Sequence, residues 1–359
     1  MRAGLGRAVI TPALPAYLAG YGDRRDPATT VHDDLEVHVL VIEVDGRRAA
    51  LVTLDLLVMS RDCSDPIRTC VGEIVGCDPH AVLTSCCHVH AGPSALTGTE
   101  AIGWPVPTGY AALLVDRVAD AARAVQLEPV TASFARIGLP AGLAINRRGH
   151  PLAPSAAVLV LDPVVTIANF GIHPTVTGPS NLAVATDWVG PFRRELAART
   201  GRAALFLQGC QGDVNPAVTA WDDGDPAAWS PVVEQYAATL ADAVAAARPR
   251  AFATEALTAR SRTLDVPVGP TLLGQLAGGR AERTVELLEW TVGGLQVVAV
   301  PGEGFHAVEA ELRVRRRDPL LIAGLAPDWH GYLPLPYTDG YEEGLSLGPD
   351  AVAQLVAAL

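Results

Sequence analysis

Val164-Val165-Thr166-Ile167-Ala168-Asn169-Phe170 is a run of β-branched and apolar residues that ends in Gly171-Ile172-His173-Pro174-Thr175. After it, Trp188 to Arg199 (WVGPFRRELAAR) has helical spacing, and Ala203 to Leu207 (AALFL) is a second short apolar run. Strand, helix and strand in succession point to an α/β arrangement with a mixed sheet covered by helices. The pattern extends in both directions. Val37 to Val44 and Ala49 to Leu54 read as two strands turned at Asp45-Gly46, a favourable hairpin pair. Ser64 to Val75 has helical spacing with Asp65-Pro66 near its start, Ala81 to Leu83 reads as a buried strand, and Tyr110 to Val125 is an amphipathic helix. Strands are expected at Thr131 to Ile137 and Ala157 to Leu161, and the longest helix over Ala227 to Ala247. Thr284 to Trp290 and Leu295 to Val300 pair around Gly293-Gly294. A helix at Phe305 to Val314, a strand at Leu320 to Leu325 and a helix at Asp350 to Leu359 complete the series. No internal repeat and no long linker is visible, so residues 1–359 are expected to form a single domain. Residues 217–231, with Trp221, Asp222, Asp223, Asp225 and Trp229, are expected to be a flap.

Composition narrows the class. The 359 residues carry a net charge of −12 and are 49% hydrophobic and only 18% charged, which excludes a disordered chain. All basic side chains are arginine, and an acidic chain without lysine offers little to a phosphate backbone, so nucleic acid is not an expected partner. No segment reaches the roughly 18 to 20 apolar residues needed to cross a bilayer. Pro12 and Pro15 interrupt the N-terminal stretch before a signal-peptide core can form. Six cysteines without a CxxC pair fit reduced thiols in the cytoplasm, and no amphipathic basic helix suggests stable membrane association.

The chemically informative residues follow the expected strands. Cys87-His88-Val89-His90-Ala91-Gly92-Pro93 follows one and His173 another. Gln208-Gly209-Cys210-Gln211-Gly212-Asp213-Val214-Asn215-Pro216 follows a third, Pro301-Gly302-Glu303 a fourth, and Asp328, His330 and Tyr332 a fifth. Ligands bind beyond the carboxyl ends of strands in open α/β sheets. Two imidazoles and a carboxylate suit Zn²⁺, which accepts nitrogen and oxygen donors and leaves a position open, although Ni²⁺ or Co²⁺ would accept the same set. His330 is an alternative ligand beside Tyr332. Asp55 reads as support behind a histidine, and Asp187 and Asp213 as loop anchors.

These motifs, in this order, resemble the catalytic domain of the neutral/alkaline (non-lysosomal) ceramidase family. Gly4 to Pro12 and Leu18-Ala19-Gly20-Tyr21 are similar to its opening glycine-rich strand and G-Y motif. Cys87 to Pro93 is similar to T-H-T-H-S-G-P, Asn146-Arg147 to N-R-S-P, and Phe170 to Thr175 to F-x-x-H-P-T. Thr186 to Gly190 is similar to S-G-D-x-x-G, Gln208 to Pro216 to N-x-G-D-V-S-P-N, and Val300 to Glu303 to P-G-E. Gly331-Tyr332 and Tyr341-Glu342 are similar to the terminal Y-x-T-T and R-Y-E segments. The resemblance implies a zinc held by His88, His173, Glu303 and Tyr332, with His90, Arg147 and Tyr341 around the scissile amide. His90 or Tyr341 would donate to the developing oxyanion, and Arg147 would orient a polar part of the substrate.

The chain departs from the family at the serine thought to attack the amide, where Asn215 stands. Asparagine cannot supply an alkoxide. Three readings follow: metal-activated water with Asn215 as an oxyanion donor, a thiol at Cys210, or loss of hydrolysis. The first is preferred. The length leaves no room for the family's C-terminal immunoglobulin-like domain, and no threonine follows Tyr332. The expectation is therefore a zinc-dependent amidohydrolase of a small or acylated cytosolic metabolite. An N-acylsphingosine hydrolase is the alternative, and a metal-retaining esterase, lyase or non-catalytic binding protein a further one.

Overall fold

The computed structural model describes residues 1–97, 104–276 and 278–359. Three sheets dominate. The first runs Val82–Cys86, Arg47–Leu54, Glu36–Val44, Arg2–Val9, Glu128–Pro129. The second runs Ala203–Gln208, Val165–Phe170, Ser155–Asp162, Thr131–Gly138, Arg250–Ala251, and the third Leu257–Pro267, Glu282–Val292, Leu295–Ala299, Leu320–Ala323.

One local plan recurs in all three sheets. An antiparallel hairpin leads into a helix, and the chain returns as a strand parallel to the hairpin's second strand. In the first sheet Glu36–Val44 and Arg47–Leu54 form the hairpin, Arg61–Val75 the helix, and Val82–Cys86 the parallel return. In the second the same places are taken by Ser155–Asp162, Val165–Phe170, Val189–Thr200 and Ala203–Gln208. In the third they are taken by Glu282–Val292, Leu295–Ala299, His306–Arg315 and Leu320–Ala323. The repetition is one of topology and leaves no trace as a sequence repeat, because each copy packs against different neighbours. Parallel strands require such a covering crossover, which explains why helix and strand alternate along the chain.

The local reasons are plain in several elements. Helix Arg61–Val75 buries Cys63, Ile67, Val71 and Val75 on one face, at the four-residue spacing of an apolar stripe. It begins at Arg61, one turn before Asp65-Pro66. The first hairpin turns with Asp45 at φ 49° and Gly46 at φ 76°, the double positive φ that makes Asp-Gly favourable. Gly4 and Gly6 lie under the end of helix Tyr110–Arg123 and the residues after it. A Cβ there would sit 2.3 Å from the Gln126 carbonyl oxygen and 1.9 Å from that of Ala121. The inner faces of the three sheets meet in one core that includes Leu51, Leu83, Ile167, Leu207, Trp290 and Leu321. Asn169 crosses it, donating to the carbonyls of Leu207 and Ile322 and accepting from the Ile322 amide. Residues 217–231 are tied down at Trp221, whose indole donates to Thr175 O at 2.6 Å, and by the helix Pro226–Ala245. Among the described residues, no helix is long and apolar enough to cross a membrane.

Candidate metal centre

The chain segments that leave the parallel strand pairs converge. The first sheet supplies His88 and His90, the second His173 and Asn215, and the third Glu303 and Tyr332. His88, His90 and His173 are buried, and one nitrogen of each lies within 4.8 Å of the others. Gln208 positions two of these loops together, donating from Nε2 to the carbonyls of Cys87 (3.2 Å) and Ile172 (3.1 Å), the residues just before His88 and His173. His88 itself has φ 66°, a left-handed backbone conformation that is costly for a residue with a Cβ and is concentrated at functional sites.

The three imidazoles are held differently. His88 Nδ1 is 2.9 Å from Leu57 O, and His173 Nδ1 is 3.1 Å from Val214 O. A carbonyl can only accept, so each Nδ1 carries the proton and each Nε2 presents a lone pair. Those lone pairs face Glu303 Oε2, at 3.1 Å from His88 Nε2 and 3.4 Å from His173 Nε2. Glu303 Oε1 accepts from Trp329 Nε1 at 3.0 Å, leaving Oε2 for the histidines. Among the described residues, His88 Nε2, His173 Nε2 and Glu303 Oε2 are buried without a hydrogen-bond partner. Three electron-rich atoms turned toward one another in a buried site are unfavourable unless a cation lies between them. The donor set, two imidazoles and a carboxylate, fits a divalent metal of the zinc type.

His90 has neither nitrogen fixed. Burial, then the two neighbouring imidazoles, pushes its pKa well below the ordinary value, and burial lowers His173 to about 4, so both are neutral near pH 7. Behind His90 lies Gly20 at φ 103°, where a Cβ would stand 2.3 Å from His90 Nδ1. Arg24, lowered to about 10 chiefly by burial, donates to His90 O at 2.8 Å and to Gly178 O at 3.0 Å, joining the G-Y segment to the histidine loops.

Tyr332 pairs in register with Glu303 through the short parallel strands Tyr332–Leu333 and Glu303–Gly304. Its ring lies 5.9 Å from Tyr341, and the Arg147 guanidinium is 5.6 Å from one ring and 5.2 Å from the other. Arg147 also donates to Gly212 O (2.6 Å) and Glu342 Oε1 (3.1 Å). Burial, most strongly at Tyr332, raises both phenols, Tyr341 to about 12. Asn215 lies next to Val214, the residue that fixes His173, and its Oδ1 is buried without a partner among the described residues.

The remaining residues take other places. His330 Nδ1 accepts from Arg283 Nε and its Nε2 faces Asp328 Oδ2 at 3.2 Å, so both nitrogens are engaged away from the cluster. Asp55 forms a two-pronged, buried ion pair with Arg193 at 2.7 and 2.6 Å, behind Leu56 and Leu57. Asp187 accepts from Val176, Thr177 and Trp188, and Asp213 from Asn146 and His306. Cys210 is fully buried, and burial raises its thiol well above the ordinary value, which removes the thiolate a nucleophile needs. Gln208, Arg24 and Trp329 escape a reading of motifs because their roles depend on three-dimensional neighbours.

A cavity of about 290 Å³ opens on His88, His90, Glu303 and Tyr332. Its walls include Leu57, Val58, Trp329 and Leu345. Arg147, Asn215 and Tyr341 lie outside its lining.

No family model matches the sequence, and no curated protein does. Solved structures do. The crystal structure of neutral ceramidase from Pseudomonas aeruginosa superposes with a TM-score of 0.80 at 17% identity, over 99% of this chain and 73% of that one. The chain has a neutral ceramidase-like fold. A ceramidase complexed with C2 matches with a TM-score of 0.76, again at 17% identity and over 99% and 73% of the two chains. The ceramidase-like fold therefore accounts for the mixed α/β architecture, whereas so low an identity leaves the chemistry to the residues themselves.

Proposed function

We propose that the protein is a zinc-dependent amidohydrolase. The observation that carries the reading is the convergence of His88 Nε2, His173 Nε2 and Glu303 Oε2, buried, facing one another and unpartnered among the described residues. Those three side chains, with Tyr332 as the fourth ligand, would hold the metal. Once bound, it supplies Lewis acidity toward a carbonyl and acidifies water, which removes the need for a serine at position 215.

The chain's own groups do the rest. His90, neutral because it is buried beside two imidazoles, donates an N–H toward the developing oxyanion, and the Asn215 amide and the Tyr341 hydroxyl supply further polar contacts. Arg147, fixed by Gly212 O and Glu342, orients a polar part of the substrate against the two tyrosines. Water adds to the amide carbonyl, the C–N bond breaks, and carboxylate and protonated amine leave. The small cavity favours a small or acylated metabolite as substrate.

The structural relatives are ceramidases, which favours a second reading, an N-acylsphingosine hydrolase. Purified protein should contain about one zinc per chain and cleave short N-acyl amides faster than ceramide, with zinc and turnover both lost in His88→Ala and His173→Ala. Unchanged zinc content and turnover in Glu303→Ala would show the metal reading to be wrong. Faster cleavage of ceramide than of short amides would select the second reading.

A further inference from the structure

We propose that the cavity beside the histidine cluster takes an amide whose chain ends in a carboxylate, gripped by Arg283. The inference rests on the amidohydrolase reading for the metal end of the cavity and concerns the other groups that line it.

Two arginines line this cavity, and they differ in their partners. Arg61 is engaged within the protein: Nε donates to Asp65 at 2.9 Å, and Nη2 is 3.7 Å from Glu286. Arg283 forms no ion pair among the described residues. Among the described residues, its one side-chain hydrogen bond runs from Nε to His330 Nδ1 at 3.2 Å. His330 is buried, and its Nε2 faces Asp328 Oδ2 at 3.2 Å. Asp328 thus holds the imidazole with its proton on Nε2, so Nδ1 is the acceptor that fixes Arg283.

A guanidinium held at Nε keeps its terminal N–H groups for a planar anion, the arrangement in which arginine binds carboxylate through two parallel hydrogen bonds. The only acid among the described residues that both lines the cavity and lies apart from the histidine cluster is Asp62. It is exposed and within 3.5 Å of the Thr97 hydroxyl. Leu57, Val58, Leu273, Trp329 and Leu345 line the same cavity and suit a hydrocarbon spacer. Apolar walls with a few placed polar groups are the ordinary form of a small-molecule site, the polar groups setting orientation.

Calorimetry on the zinc-loaded protein tests the assignment. Succinate, glutarate and adipate are compared with the monocarboxylates of the same chain length. The best dicarboxylate should bind about tenfold or more tighter than its monocarboxylate, as expected for a charged hydrogen-bonded contact. Arg283→Gln should reduce that ratio to about one, and Arg283→Lys should retain part of it. Zinc content and the unfolding midpoint establish that each variant is folded. A ratio near one in the wild type, or a ratio unchanged in Arg283→Gln, overturns the proposal. The measurement needs no turnover, so a protein that cleaves no amide breaks the hydrolase reading without changing this ratio.

Discussion

The proposed metal cradle and the rim beside it are built by different means. In the cradle, His88, His173 and Glu303 stand just beyond strands of three sheets and are oriented by neutral groups: two backbone carbonyls and the Trp329 indole. In the rim, Arg147 and Arg148 on one loop are tied to Glu342 and Glu343 at the C-terminal end of the chain. Arg147 meets Glu342 at 3.1 Å, and Arg148 meets Glu342 at 2.8 Å and Glu343 at 3.0 Å. Tyr341, beside these acids, is 57% exposed, whereas Glu303 is 3% exposed. The cradle owes its precision to the sheets. The rim owes it to ion pairs between half-buried arginines and the buried carboxylates of Glu342 and Glu343, where losing one partner leaves the other's charge uncompensated. Changes in the cradle should therefore act on metal content, and changes in the rim on turnover.

The largest effect is expected at the ligands. His88→Ala or Glu303→Ala should weaken zinc binding by more than about a hundredfold, beyond what loss of a supporting group causes, and abolish turnover; competition with a chelating dye reads the affinity. Next, Gln208→Leu removes a side chain that ties both histidine loops, and zinc affinity should fall about ten- to a hundredfold while the ligands remain. Retained affinity there would show that the strands alone place the histidines. In the rim, Glu342→Gln should lower kcat/KM by roughly tenfold with zinc stoichiometry unchanged, since it loosens Arg147 and leaves the contacts of His88, His173 and Glu303 in place. Loss of zinc in that variant would erase the distinction between the two regions. Trp329→Phe should weaken zinc binding by about tenfold, through the lost N–H to Glu303 Oε1. The smallest effect is expected at Cys210→Ala, which should cost about 1 kcal/mol of stability in a denaturant titration and leave turnover unchanged. An inactive but zinc-loaded Cys210→Ala would revive the thiol reading.

What could be read from the sequence follows the same division. Strands buried on both faces, such as Val165–Phe170 and Ala203–Gln208, are short apolar runs and identify themselves. Leu257–Pro267 does not, because most of its residues alternate between half-buried and exposed along the sheet's edge and its sequence is largely polar. Arg2–Val9 is visible through its resemblance to a glycine-rich opening strand. The reason for Gly4 and Gly6 lies in the helix packed directly against them. Of the site, the motifs bring His88, His90, His173 and Glu303 to one locus and the resemblance adds Tyr332, which the fold sets in register with Glu303. The separation of His90 from the other two imidazoles needs the carbonyls of Leu57 and Val214, which no local pattern reveals. Gln208, Trp329 and Arg283 likewise act through partners distant in the chain, at Cys87 and Ile172, at Glu303 and at His330.

The central claim is that His88, His173 and Glu303 enclose a metal ion from which His90 stands apart. Crystals grown with zinc and measured on both sides of the zinc absorption edge test it directly. The account predicts one anomalous peak in contact with His88 Nε2, His173 Nε2 and Glu303 Oε2, at the roughly 2.0 to 2.2 Å expected for such ligands. No peak at this position, or a peak bound by His90 in place of Glu303, would contradict it.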